Sequence, residues 1–349
     1  MAGYFDASFY FYYPNQGYHT FSENYLTNQC TFKINYLKKG FTVFNRFFFW
    51  GVSELLKREK PDIILCCEFS PVTLYVFLNR WFFGKKFRLY TLCDDSPENT
   101  KKRKGYRLFV SRLISKNIDG VIFPSKTTGN IFNQYVAEKA SALELPIIQS
   151  DERFRNQLKQ SLDLSNNYIE EYQLINTKII LYVGRLDQEK NLTILLAAFS
   201  RLRLEHTTSV LFIIGTGRLE ASLKREVDVL GQSMDIRFLG RKEGLELFAW
   251  YNIGQLFVLP STFEPYGAVV NEALLSGCKV LCSKLAGAST LINRSNGMLF
   301  DPYDIDELQD KMSILLNDTA PIESPLKEVR GNYMPFSFNE KVNNLLSAL

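Results

Sequence analysis

Short apolar runs separated by helical stretches recur along most of this chain, and they constrain its fold more than any other feature. In the first half the runs are Asp62 to Cys67, Phe87 to Leu92 and Gly120 to Phe123; in the second they are Leu181 to Val183, Val210 to Ile214 and Gln255 to Leu259. Such a run reads as a strand buried on both faces, the usual state of a strand in a parallel sheet. Parallel strands need crossovers, and the helical stretches supply them, so the alternation predicts parallel sheets with helices on both faces. A chain of 349 residues, 46% hydrophobic and 22% charged, is large enough for two cores. From Ile147 to Asn176 the sequence turns polar and lacks a strong apolar pattern until Lys178, so the interdomain link is placed there. The predicted division is 1–166, 167–333 and a last helix over 334–349.

The densest chemistry lies around Glu264 and Glu272, which have seven residues between them. The run Gln255 to Leu259 is closed by Pro260, and Ala268 to Ser276 has helical periodicity with Gly277 placed as a left-handed cap. Glu264 therefore falls in a strand-to-helix loop. Pro265 stiffens that loop, and Gly267 lets the backbone approach a ligand. The amides of Tyr266, Gly267 and Ala268 are expected to face the mouth as unpaired donors at a helix N-terminus, which suits a diphosphate. Carboxylates beside an anion site make sense as hydrogen-bond acceptors from hydroxyls, Glu264 from a sugar and Glu272 from a ribose diol. Alone, the two glutamates would read as an acidic residue near a helix start and an ordinary exposed helix residue. Their company decides otherwise: Leu181 to Asn191 is a strand, a turn at Gly184 and a helix start, with Arg185 and Lys190 placed to reach the same mouth and neutralise phosphate.

Together these segments resemble the retaining glycosyltransferases of the GT-B fold, specifically family 4 (glycosyl transferases group 1) of the bacterial polysaccharide type. The resemblance is specific over about Lys178 to Asp310 and diffuse before that. It implies two Rossmann-like, doubly wound domains facing across a cleft, with the donor bound by the second and the last helix returning to the first. By the same resemblance Arg185 and Lys190 hold the donor diphosphate, Glu264 contacts the sugar and Glu272 the ribose. Gly215-Thr216-Gly217 matches the family's glycine turn near the nucleotide, Phe238-Leu239-Gly240-Arg241 the segment whose main chain reads the base, and Asn296 to Phe300 a structural turn and strand. The implied activity is hexosyl transfer from a nucleoside-diphosphate sugar to a hydroxyl on a glycan or lipid-linked acceptor, in cell-surface polysaccharide or glycolipid synthesis. It implies no cofactor and no catalytic metal, because cations and helix amides stabilise the leaving group. Front-face displacement, with the phosphate assisting deprotonation, is the mechanism commonly proposed for such enzymes. Two other readings remain open: an impaired nucleotide-sugar-binding partner protein, and a sugar-nucleotide epimerase on the same fold.

The first domain departs from the family. Phe9 to Tyr13 reads as a strand, but Pro14 to Tyr18 is not a convincing glycine loop, and the run looks like the family's second strand with a first strand missing before Met1. Where many relatives carry a histidine after the Asp62-to-Cys67 strand, Cys67-Glu68-Phe69 stands; Glu68 is either near the sugar or a solvated loop residue. His19 is a lone histidine in a tyrosine-rich loop and reads as incidental. Asp94 to Asn99 follows a strand end, where open α/β sheets bind ligands. There Asp95 either orients an acceptor hydroxyl or belongs to a loop and helix cap.

Other patterns bound the remaining classes. Asp304-Ile305-Asp306 has the form of a metal motif, but capping of the following helix explains it better. The six cysteines lack zinc spacing and read as buried thiols in a reducing cytosol. No apolar run approaches the roughly eighteen residues of a membrane span, and the start has no basic flank before an apolar core. Lys101 to Lys116 is strongly basic and, with Trp81 to Lys86, reads either as a solvated face or as a peripheral contact with the inner face of an anionic membrane. A net charge of only +4 and the lack of a recognition motif argue against nucleic acid.

Overall fold

The computed structural model describes residues 5–11, 33–43, 46–84, 86–138 and 140–349. The loop read at Pro14 to Tyr18, together with His19 and Cys30, lies outside the described residues. Two compact units are present, one made of Met1–Cys93, Arg103–Ile122 and Asn133–Ala142, the other of Asp94–Lys102, Phe123–Phe132 and Leu143–Leu349.

In the first unit β1 (Phe9–Phe11) pairs in parallel with β2 (Ile34–Tyr36), and β3 (Lys38–Val43) forms an antiparallel hairpin with β4 (Arg46–Trp50). After α1 (Val52–Glu59), β5 (Ile63–Cys67), α2 (Pro71–Phe83), β6 (Arg88–Leu92), α3 (Pro97–Lys101), α4 (Gly105–Ser115), β7 (Gly120–Phe123), α5 (Lys126–Tyr135) and β8 (Ala142–Glu144) follow along the chain, α3 and most of α5 grouping with the second unit. Strands β5 to β8 form a sheet in sequence order, and β5, β6 and β7 are parallel. Ser96 caps α3 by accepting the Asn99 amide, so in the stretch Asp94 to Asn99 the capping role is occupied.

The stretch read as a polar link carries two helices, α6 (Asp151–Gln160) and α7 (Leu162–Glu171). The boundary drawn at 166/167 falls inside α7. Half of α6 is charged, but Phe154 and Leu158, one turn apart, are buried, and Tyr168 stacks on Trp250 at 4.8 Å. Asn252, itself buried, donates to the Leu158 carbonyl and lies within hydrogen-bond distance of the Ser161 and Ser165 hydroxyls, which ties the two helices to the rest of the second unit.

The second unit then runs through β9 (Lys178–Val183), α8 (Leu192–Leu202), β10 (Ser209–Ile214), α9 (Glu220–Val229), β11 (Ile236–Gly240), α10 (Gly244–Ile253), β12 (Leu256–Leu259), α11 (Ala268–Leu275), β13 (Lys279–Ser283), β14 (Gly297–Phe300), α12 (Ile305–Asn317) and α13 (Phe338–Ala348). Its sheet has the order β11-β10-β9-β12-β13-β14, and every pair is parallel. Alternation within the strands divides the core in two. Ile179, Leu181, Val183, Phe257 and Leu259 pack on one face with Phe154, Trp250 and Leu274, whereas Ile180, Tyr182, Leu256 and Val258 pack on the other with Leu195, Phe199 and Leu308. Each such side chain contributes roughly 1.5–3 kcal/mol when fully buried. Helices cover both faces, and every βα loop emerges at the C-terminal edge, where open α/β sheets bind ligands. Asp304 caps α12 through the Glu307 amide. In α13 the Phe338 amide donates to Asp151, and Lys341 reaches Glu144 at 3.1 Å. Among the described residues no helix is long and apolar enough to cross a membrane.

Candidate active site

Strand order reverses between β9 and β12, and at such a switch point neighbouring loops turn away from each other and leave a crevice. The loops after β9 and β12 carry Lys190 and Glu264. Lys190 Nζ lies 2.5 Å from Glu264 Oε2, with side chains only 10% and 14% exposed. Thr262 fixes the approach by donating its amide (2.9 Å) and its hydroxyl (3.3 Å) to the Glu189 carbonyl. The segment after β13 braces the same loop from the other side: the Gly287 amide donates to the Glu264 carbonyl and the Ala288 amide to the Tyr266 carbonyl. A Cβ on Gly287 would lie 2.2 Å from the Pro265 carbonyl oxygen, so only glycine fits there.

Gly267 takes φ +96 as the N-cap of α11, a backbone state that favours glycine. Among the described residues the amides of Tyr266, Gly267 and Ala268 donate to no protein group. They are the orphan donors of a helix start, where the dipole favours an anion. The Tyr266 ring is buried and its hydroxyl has no hydrogen-bond partner among the described residues.

Glu272 lies one turn into α11. The buried Tyr251 hydroxyl donates to its Oε2 at 2.9 Å, and Gln149 Nε2 donates to its Oε1 at 2.7 Å. Burial raises the Glu272 pKa above the ordinary carboxylate value, while these two hydrogen bonds pull it back. Neither Tyr251 nor Gln149 belongs to a motif in the sequence: the first reads as helix core, the second as linker. The Gln149 amide also donates to Asn271 Oδ1 at 2.8 Å, so both partners of Glu272 are themselves fixed.

Arg185 is 59% exposed and pairs with Asp187 at 2.8 Å and Glu189 at 3.2 Å. Its charge is thus balanced by its own loop, as that of Lys190 is by Glu264. Arg241 follows the edge strand β11 and pairs with Glu243. Gly184, Gly215 and Gly217 meet each other's loops: a Cβ on Gly215 would lie 1.9 Å from the Gly184 carbonyl oxygen, and one on Gly217 2.5 Å from Leu186 main-chain atoms. At Gly215 and Gly217 the lack of a side chain is demanded by backbone packing of the β9 and β10 loops, whereas a Cβ on Gly184 would meet the Tyr182 hydroxyl at 2.8 Å. Tyr182 lies under these charges, its pKa driven up by burial first and by Glu264 next.

In the first unit Glu68 has φ +56, and its carbonyl accepts from the buried hydroxyls of Thr73 and Thr91, each at 2.7 Å. Its carboxylate meets Arg103 at 3.3 Å, and Arg103 also donates to Ser111 and lies over the Phe69 ring. Glu68 is therefore held in place, which a merely solvated loop glutamate would not be. Cys66, Cys93, Cys278 and Cys282 are buried free thiols, and burial pushes Cys66 up to about 12; Cys67 is exposed.

Residues 167–331 match the family model described as glycosyl transferases group 1. This part of the chain is similar to that family. The group 1 region carries the whole constellation above except Gln149 and the first-unit residues. Relatives include glycogen synthase of Mycobacterium tuberculosis, 32% identical over 152 residues, covering 43% of this chain and 37% of that protein. Sulfoquinovosyl transferase SQD2 of Arabidopsis thaliana is 29% identical over 218 residues, covering 60% and 40%. The chain thus spans about two fifths of the length of these curated relatives. Anabaena HepE, solved in complex with UDP and glucose, superposes with a TM-score of 0.71 at 18% identity, covering 98% of this chain and 99% of that one. That likeness shows the fold, the GT-B class expected from the group 1 motifs.

Proposed function

We propose that this chain is a retaining glycosyltransferase that moves a sugar from a nucleoside-diphosphate sugar to a hydroxyl acceptor in polysaccharide or glycolipid synthesis. The observation that carries this reading is the Lys190–Glu264 pair at the sheet's switch point, beside a helix start with unpaired amides. An ammonium has three donors. One goes to Glu264, and the other two serve diphosphate oxygens. Glu264 keeps its second oxygen for a sugar hydroxyl, and Glu272 receives the ribose diol. As the bond from the anomeric carbon to the phosphate oxygen breaks, Lys190 and the α11 amides stabilise the departing charge. The acceptor oxygen bonds the anomeric carbon on the same face, and its proton passes to the leaving phosphate. Glu264, already committed to Lys190, acts as a hydrogen-bond acceptor in this scheme and not as a covalent nucleophile.

The UDP and glucose held by Anabaena HepE make uridine diphosphate the first donor nucleotide to test. Calorimetric titration with UDP, GDP, ADP and their sugar conjugates should give micromolar binding of one nucleotide, weakened roughly tenfold or more by Glu272→Ala. No binding to any of them by folded protein would overturn the reading. The anomeric proton coupling of the product tests stereochemistry, and a configuration opposite to the donor's would exclude retention.

Binding should also depend on pH with a defined sign. Because burial raises the folded pKa of Glu272, its carboxyl takes up a proton at a higher pH than a free glutamate does. Nucleotide affinity should therefore fall as pH drops through that raised value, since a protonated Glu272 accepts fewer hydrogen bonds from the diol. Tyr251→Phe removes a hydrogen bond that holds the pKa down, so the loss should begin at a higher pH. An unshifted affinity profile in that variant would remove Glu272 from the nucleotide site.

A further inference from the structure

Helix α4 turns apolar side chains toward solvent. Ser111, Ile114 and Ser115 are its buried face, whereas Phe109 is 65% exposed, and Tyr106 and Leu113, three and four residues to either side of it, are exposed too. A helix lying on a globular unit ordinarily puts polar residues at these outward positions. The charge around the stripe is of one sign. From Asn99 to Ile118 the sequence holds seven lysines and arginines and no carboxylate. Lys104, Arg107 and Lys116 pair with no carboxylate among the described residues.

A second aromatic group stands at the end of the neighbouring helix. Helices α2 and α4 connect β5 to β6 and β6 to β7, successive steps in one direction, so right-handed crossovers place both on the same face of the sheet. Arg80 on α2 pairs with Asp119, just beyond α4, at 2.5 Å, which brings the C-terminal ends of the two helices together. The next two residues, Trp81 and Phe82, are 70% and 69% exposed, with rings 5.1 Å apart, and Lys86 follows.

We propose that this outer face of α2 and α4 docks on the surface of an anionic bilayer. Trp81, Phe82, Phe109 and Leu113 would enter the headgroup boundary, where amphipathic aromatic groups are favoured, while Lys86, Lys104, Arg107 and Lys116 meet lipid phosphates. The excess of positive charge along α4 disfavours a basic partner and selects an anionic one. The face needs neither donor nor acceptor sugar, so vesicle binding tests it separately from transfer.

The full chain is floated with phosphatidylcholine vesicles and with vesicles containing roughly one part in three phosphatidylglycerol. Flotation with the second and not the first is expected, and it should fade at high salt. Each cation is worth about a fivefold change in partitioning, so K104S/R107S/K116S should weaken binding by about two orders of magnitude. F109S/L113S should weaken it by about tenfold, and because both residues are exposed its melting temperature should stay at the wild-type value. Brominated phosphatidylglycerol should quench tryptophan fluorescence in wild type and much less in Trp81→Phe. No flotation with the anionic vesicles, equal flotation with both kinds, or binding and quenching untouched by these variants would each overturn the proposal.

Discussion

Replacing Lys190 with methionine should reduce sugar transfer by roughly 10²–10³-fold, the usual size of one preorganised charge-stabilising group. The same change should lower stability by about 3 kcal/mol, because it strands a nearly buried carboxylate. Lys190 and Glu264 are only 10% and 14% exposed, and Glu264 lies close enough to Tyr182 and Cys282 to raise the pKa of both. Without the ammonium, its charge faces these groups alone. Adding Glu264→Gln removes that charge, so K190M/E264Q should regain most of the lost stability and none of the turnover. Urea denaturation and initial rates with the donor found by titration separate the two effects. Turnover that returned with stability in the double variant would make the pair purely structural. Wild-type turnover in Lys190→Met alone would take the lysine out of the chemistry.

What the sequence could tell follows from where each signal is stored. Strands β9, β10 and β12 are buried on both faces, so they stand out as apolar runs, and the loop from Glu264 to Gly267 is legible because one loop's geometry is written in consecutive residues. Helix α6 is the opposite case. Only Phe154 and Leu158 of its ten residues are buried apolar groups, and the charges on its other face give it the composition of a linker. Glu272 was legible as a ligand candidate, yet its supports were not: Gln149 lies 123 residues away along the chain, and Tyr251 shows only the burial pattern of a core residue. Such partners are set by packing between segments, which no local pattern records. Arg185 was legible as a cation, but its engagement with Asp187 and Glu189 depends on the conformation of the turn. The glycines are ambiguous in a further way, since a ligand's approach and a neighbouring backbone's approach both forbid a Cβ.

That ambiguity can be resolved by substitution. Gly215→Ala should destabilise the second unit by about 3 kcal/mol or more, combining overpacking with backbone strain. Its Cβ would sit 1.9 Å from the Gly184 carbonyl oxygen, a main-chain atom with no flexible end to yield, and its φ of +140 disfavours any L side chain. Gly217→Ala meets Leu186 main-chain atoms at 2.5 Å and should behave alike. Gly231 is the control. It has φ +66 but nothing within 4 Å of its would-be Cβ, so alanine there should cost only the conformational penalty of about 1 kcal/mol. The two loops are also joined by the Leu186 amide donating to the Thr216 carbonyl and the Leu219 amide donating to the Leu186 carbonyl. Any shift that relieves the clash must therefore move the turn that carries Lys190, and nucleotide affinity should fall along with stability. If Gly215→Ala were as mild as Gly231→Ala in denaturation while nucleotide binding collapsed, the glycine would be serving the ligand and not the backbone of the β9 loop. A large loss of stability without nucleotide present would show the reverse: the glycine turn first builds the fold, and only through the position of Lys190 does it build the site.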